Sequence, residues 1–198
     1  MTSDTWIDVG RICALTPLED TVADRPTIQR AYAAAWRTPS CKVALDLGCG
    51  AAKVLPDFVG VDHHRGVWES RAGLRWIARP DAQADVRCLP FPDESVDFVA
   101  ALHALEHFWH PREVIPEWSR VLRVGGRLAI IVPDYRYTFS CRDEAQQQGG
   151  PGECHKRDFT LISLCVDMWE FPCLELLDAR VVCPQWSVGT VWEKRWHV

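Results

Sequence analysis

Val43-Ala44-Leu45-Asp46-Leu47 is a short, mostly apolar run that breaks at once into Gly48-Cys49-Gly50-Ala51. A run of this length, closed by a turn signal, suits a parallel strand covered on both faces. Gly48 and Gly50 let the backbone turn tightly and approach a ligand, because no Cβ stands in the way. A strand ending in Gly-x-Gly hints at nucleotide binding. Two details narrow the hint. Lys53 stands where a dinucleotide fingerprint carries its third glycine, and the acid Asp46 lies just ahead of Gly48. That carboxylate would repel a pyrophosphate and attract a cationic ligand. Both details disfavour a nicotinamide oxidoreductase.

Further segments follow in order. Val59-Gly60-Val61-Asp62 reads as a second strand ending in an acid. Asp85-Val86-Arg87-Cys88-Leu89-Pro90-Phe91 is an acid followed by a turn. Val96 to Leu102 is apolar almost throughout and runs into His103-Ala104-Leu105-Glu106-His107. Val121-Leu122-Arg123-Val124-Gly125-Gly126-Arg127-Leu128 reads as a helix end leading into a strand. In this set and order the chain resembles the class I S-adenosylmethionine-dependent methyltransferases, type 11-like, over roughly Lys42 to Asp134. The short step from Gly50 to Asp62 is similar to that of small methyltransferases encoded beside glycosyltransferases.

The resemblance implies an α/β, Rossmann-like, doubly wound domain. Its seven-stranded sheet would be mostly parallel, with an antiparallel C-terminal strand. The cofactor implied is S-adenosyl-L-methionine, whose ammonium and sulfonium suit Asp46. Gly48, Cys49 and Gly50 would bind the cofactor through the close approach of their backbone. Asp62 would accept from the ribose hydroxyls, and His63 could pack on the adenine. Asp85 and the Val86 amide would read the adenine edge. Leu102, at the end of its strand, would also bind the cofactor. His103 and His107 would meet the methyl end and the acceptor, where histidine suits proton transfer near neutral pH.

A rival reading starts from the same residues. His-x-x-Glu-His is also an inverted zinc-protease signature. It needs both histidines on one helical face, whereas His103 directly follows a buried strand. Metal ligation is therefore not expected, either there or at Cys141, Cys154 and His155, whose spacing matches no common zinc pattern.

Composition sets the remaining bounds. The chain has 198 residues, enough for one domain with a full core. A net charge of −5 without a long basic run argues against nucleic acid or an anionic membrane as partner. No apolar stretch approaches the roughly 20 residues of a membrane helix. The N-terminus lacks a signal pattern, so the chain reads as cytoplasmic. The nine cysteines are odd in number and form no Cys-x-x-Cys pair, so they read as reduced thiols.

Residues 1–40 read as a leader with a helix from Thr27 to Trp36, its face formed by Ile28, Ala31, Tyr32 and Ala35. Residues 41–133 form the expected cofactor core. Trp68 to Ile77 is expected as a helix. Pro111 to Leu122 reads as an amphipathic helix with Val114, Ile115, Trp118, Val121 and Leu122 inward. Residues 134–157 form a long glycine- and glutamine-rich excursion, expected as a substrate lid offering Tyr135, Arg136, Tyr137 and His155. A helix from Asp158 to Met168, with Phe159, Ile162, Leu164, Cys165 and Val166 inward, leads into closing strands at Leu174–Cys183 and Val188–Trp192. The functional expectation is methyl transfer to a small-molecule acceptor, a sugar or other hydroxyl compound. The alternatives are a non-catalytic S-adenosylmethionine-binding module and a zinc hydrolase using His103 and His107.

Overall fold

The computed structural model describes residues 25–69, 75–138, 140–142 and 155–197. Strands β1 (Ala44–Leu47), β2 (Val59–Asp62), β3 (Gly66–Glu69), β4 (Arg75–Ala78), β5 (Ala82–Gln83), β6 (Val96–Leu102), β7 (Leu122–Pro133), β8 (Leu174–Cys183) and β9 (Ser187–Lys194) carry the fold. Helices α1 (Arg25–Ala35), α2 (Ile115–Val121) and α3 (Leu161–Met168) flank them. Seven strands form one sheet in the order β5-β2-β1-β6-β7-β9-β8. From β5 to β7 every pair is parallel, and β9 runs antiparallel to both neighbours. This is the Rossmann-like sheet expected from the sequence, with its antiparallel strand near the C-terminus.

The period of two along the central strands builds two core layers. Phe98 and Ala100 of β6 and Ala129 of β7 pack on one face with Ala33 of α1, Ala44 and Phe58. Val99, Ala101, Leu128, Ile130 and Val132 face the other way, against Ile115, Trp118 and Val121 of α2 and Leu161, Leu164 and Met168 of α3. A strand buried on both faces must be apolar at nearly every position, which is why Val96 to Leu102 is readable as central.

Several expected elements take other forms. Trp68 to Ile77 is not a helix: β3 and β4 pair antiparallel, Val67 opposite Ile77 and Trp68 opposite Trp76. The short crossover between β1 and β2 is built from turns. On α1 the buried side chains are Gln29 and Ala33, whereas Ala31 and Ala35 face out. On α3 the inward set is Leu161, Leu164, Cys165 and Met168, spaced i, i+3, i+4, i+7. Ile162 and Val166 are exposed, contrary to expectation. The Pro111–Leu122 helix is a 3₁₀ turn at Pro111–Glu113 followed by α2, with its predicted apolar residues all buried. The Gly125-Gly126 connection lies within β7, in an irregularity that sets Val96 against Leu122 and Phe98 against Arg127. Residues 143–154, half of the expected lid, lie outside the described residues. The ends of the excursion are tied together, since Asp134 bridges Phe159 and the Tyr135 amide donates to the Phe159 carbonyl.

Candidate active site

Parallel strands place their C-terminal ends at one edge, and in open α/β sheets ligands bind there. The turns after β1, β2, β5 and β6 meet at this edge. Gly48 and Gly50 hold φ of +72° and +54°, a region that glycine adopts without strain. The Gly48 and Cys49 amides donate to the Val61 carbonyl at 2.8 and 3.3 Å. A Cβ on Gly48 would press on the Ala104 Cβ at 3.1 Å, so the turns after β1 and β6 touch. A Cβ on Gly50 would meet nothing within 4 Å. The turn therefore opens onto free space at the sheet edge, as a bound ligand requires.

Asp62 ends β2 beside this space. Its Oδ2 accepts from the Gly50 amide at 2.9 Å and its Oδ1 from the His64 amide at 2.9 Å. A carboxylate has about four lone-pair sites, so capacity remains for ribose hydroxyls. The spare acceptor capacity of Asp62 and the open turn at Gly50 suit a ribose-bearing cofactor such as S-adenosylmethionine. His63 is exposed, and its ring lies 3.8 Å from that of His64. Burial and the His64 charge hold the His63 pKa below the usual histidine value.

Asp46 behaves differently from the simple expectation. Its Oδ2 accepts from the Val54 amide at 2.7 Å, so the carboxylate pins the β1–β2 crossover from within. Burial pushes its pKa up to about 6, against the Val54 amide and the charges of Arg30 and Lys53. Lys53, in the missing-glycine position, instead pairs with Asp81 at 2.7 Å. Cys49 is buried, and burial followed by the charge of Asp46 pushes its thiol up to about 12.

At the expected adenine segment, the Arg87 fork binds both oxygens of Asp85 and holds its pKa low. The charge of Asp85 is thus already matched by Arg87. Val86 is fixed from behind: its carbonyl accepts from the indole nitrogen of the fully buried Trp118 at 3.1 Å. Leu102 ends β6 opposite Ile131 and packs with Ile28 and Tyr32.

His103 follows with φ of +54°, uncommon for a residue bearing a Cβ. Its amide still donates to the Ile131 carbonyl, which extends the β6 ladder into the turn. The ring is held from both ends. Nε2 lies 2.7 Å from Nε2 of the buried Gln29. Nδ1 lies 3.3 Å from Oε1 of Glu106. A Gln29 N–H donating to Nε2 makes Nδ1 the protonated nitrogen, directed at a carboxylate. Gln29 also donates to the Ser187 hydroxyl at 3.0 Å, so α1, the β6 turn and the start of β9 converge here.

Residues Leu105–His107 form a 3₁₀ turn. His103 and His107 therefore do not share an α-helix, and the geometry required by the zinc-protease signature is not formed. Glu106 is 1% exposed, and neither of its carboxylate oxygens has an aligned hydrogen bond. Burial raises its pKa, but His103, then His107 and His155, outweigh that and hold it below the usual range. The His155 ring meets the His107 ring edge-on at 5.3 Å. Burial lowers the His155 pKa, with a smaller opposing effect from Glu106. The Lys156 amide donates to the Glu106 carbonyl at 2.7 Å and so fixes this approach.

Sequence reading names most of this edge but misses Gln29, Ser187 and Glu106. Of the four residues expected on the lid, His155 reaches the cluster. Arg136 is instead bound by the buried Asp134, and Tyr135 and Tyr137 are exposed.

Residues 45–130 match the family model described as a methyltransferase domain. The chain is 43% identical over 111 residues to a Mycobacterium tuberculosis protein named "Probable S-adenosylmethionine-dependent methyltransferase", covering 52% of this chain and 40% of that one. It is 34% identical over 114 residues to the demethylmenaquinone methyltransferase of Roseiflexus castenholzii, covering 48% of each chain. The chain thus spans less than half the length of these relatives. Its fold is similar to that of a Haloferax volcanii methyltransferase solved in complex with the Trm112 methyltransferase activator. That match has a TM-score of 0.62 at 19% identity over 87% of this chain and 92% of the other.

Proposed function

We propose that this chain, which belongs to the class I S-adenosylmethionine-dependent methyltransferases, methylates a hydroxyl of a small molecule such as a sugar. The observation that carries the reading is the meeting of the Gly48–Gly50 turn, Asp62 and the Glu106-paired His103 at one sheet edge. The name of the Roseiflexus relative specifies a small-molecule acceptor and supports that part of the reading.

When bound, the cofactor supplies an electrophilic methyl group on a sulfonium. Asp62 and the glycine turn position its ribose and methionine parts, and Asp85 and Val86 the adenine. Holding an acceptor oxygen in line with the methyl group contributes several kcal/mol of the rate enhancement, roughly 7–11 at best. His103 Nε2 is the group that takes the hydroxyl proton, once the acceptor displaces the Gln29 contact. Glu106, facing Nδ1, holds the ring and stabilises the imidazolium as it forms.

Calorimetry should show binding of S-adenosylmethionine and its demethylated product in preference to NAD. Transfer of labelled methyl to a panel of hydroxyl compounds should fall by about 10²–10⁴-fold in His103→Ala, with cofactor affinity kept. Preferred NAD binding would overturn the cofactor assignment. Full turnover in His103→Ala would remove that residue as the base.

A further inference from the structure

We propose that Glu106, His107 and His155 bind a divalent transition-metal ion of the zinc class beside His103. The ligating atoms of these three residues lie within 4.8 Å of one another. Two imidazoles and one carboxylate form a donor set that suits zinc, with a position left for a water or substrate oxygen. Magnesium and calcium prefer all-oxygen shells.

Independent observations point to a ligand here. Both oxygens of Glu106 and Nδ1 of His107 are buried without an aligned hydrogen bond, and the His103 Nδ1 contact at 3.3 Å leaves the second Glu106 oxygen and His107 Nδ1 unmatched. Buried polar atoms are nearly always satisfied, and orphans at one point call for an occupant. The Glu106 carboxylate is fully enclosed, with His155 Nε2 3.9 Å and His103 Nδ1 3.3 Å from its Oε1. No Lys or Arg ion pair to Glu106 occurs among the described residues, so its charge faces histidines alone.

Ligand atoms around tetrahedral zinc stand about 3.4 Å apart, given bonds of about 2.0–2.2 Å. The cluster must therefore contract. That contraction requires the rings of His107 and His155, which meet edge-on at 5.3 Å, to turn toward Glu106. The Lys156 and Arg157 amides, both bonded to the Glu106 carbonyl, keep the two chain segments together while they do so.

The role of the ion rests on the methyltransferase reading. Next to His103, it would bind the acceptor oxygen and lower the pKa of its hydroxyl, so that the proton leaves more readily to His103. The ion itself can be tested without turnover.

The full chain, stripped with a chelator, is titrated with zinc alone and with cobalt(II) alone. One equivalent of zinc per chain is expected, together with the visible absorption of a low-coordinate cobalt site. His107→Ala and His155→Ala should each weaken cobalt binding beyond the ~10–100-fold typical of losing a supporting group. S-adenosylmethionine binding, measured in the same samples, should stay within about two-fold in His155→Ala. His155 lies at the margin of the cluster, so this variant decides the matter if His107→Ala fails to fold. Absence of stoichiometric metal in the wild-type chain would overturn the site, as would unchanged cobalt affinity in His155→Ala. Wild-type metal binding without cofactor binding would instead overturn the methyltransferase reading and leave the metal site standing.

Discussion

Two acids on adjacent strands, both buried, have different partners. Asp62 bonds to two backbone amides from its place at the open edge. Asp62→Ala should weaken S-adenosylmethionine binding by about 1–3 kcal/mol, because charge-assisted hydrogen bonds are lost. Asp62→Asn should fall between, and calorimetry orders the three. Asp46 lies deeper, and its raised pKa carries a stability consequence. Between the unfolded value of 3.8 and the folded value of about 6, the folded state holds more of the proton. Stability therefore falls as pH rises through that window, and above it the destabilisation by the buried charge is complete. Asp46→Asn keeps an acceptor for the Val54 amide and removes the charge. At pH 7.5 it should stabilise the fold by about 1–3 kcal/mol, while cofactor affinity falls if Asp46 attracts the ligand's cations. Denaturant melts at pH 7.5 and near pH 4 check the sign: the gain should vanish at the lower pH. A gain that persists there would rule out the buried charge as its source.

At the scale of elements, α2 links core and site through one side chain. Trp118 is fully buried, and its indole N–H holds the Val86 carbonyl. Trp118→Phe keeps most of the packing and removes the donor, leaving that carbonyl without its partner. A loss of about 1–3 kcal/mol in stability is expected, with weakened cofactor binding as the adenine segment loosens. Unchanged affinity would mean that the segment is held by its own turns. Elements such as α2, β6, β8 and β9 are legible because their burial is written in continuous or periodic apolar runs. The β3–β4 hairpin is not, since Val67, Trp68, Trp76 and Ile77 fit either period over so short a span. The signal for a hairpin in the sequence is Gly73, a turn-favouring residue between the two apolar clusters. On α3 the sequence leaves the inward face ambiguous. Ile162 and Val166 are as apolar as Leu161 and Cys165, and only the sheet beneath the helix decides which set turns inward.

Across the whole molecule, the candidate site joins parts that no local motif connects. The glycine turn, Asp62 and the two histidines are readable, because each follows a recognisable strand. Glu106 escapes a local reading because its meaning depends on His155, which arrives from the far side of the 134–157 excursion. Gln29 is hidden in a leader helix whose sequence shows mostly small and polar residues, and its partners lie 74 and 158 residues away. This contact lets the whole-chain fold set the orientation of one ring. Gln29→Leu fills similar space but donates to neither His103 nor Ser187. It should destabilise the fold by about 1–2 kcal/mol through lost buried hydrogen bonds. It should also lower methyl transfer several-fold, because the ring is no longer preset with Nε2 as its unprotonated nitrogen before the acceptor arrives, while cofactor affinity stays near wild type. Paired measurements of turnover and cofactor Kd separate the outcomes. Loss of both together would place Gln29 in the cofactor pocket. Unchanged turnover with lowered stability would show that Glu106 alone orients the ring, and that the meeting of α1, β6 and β9 serves the fold.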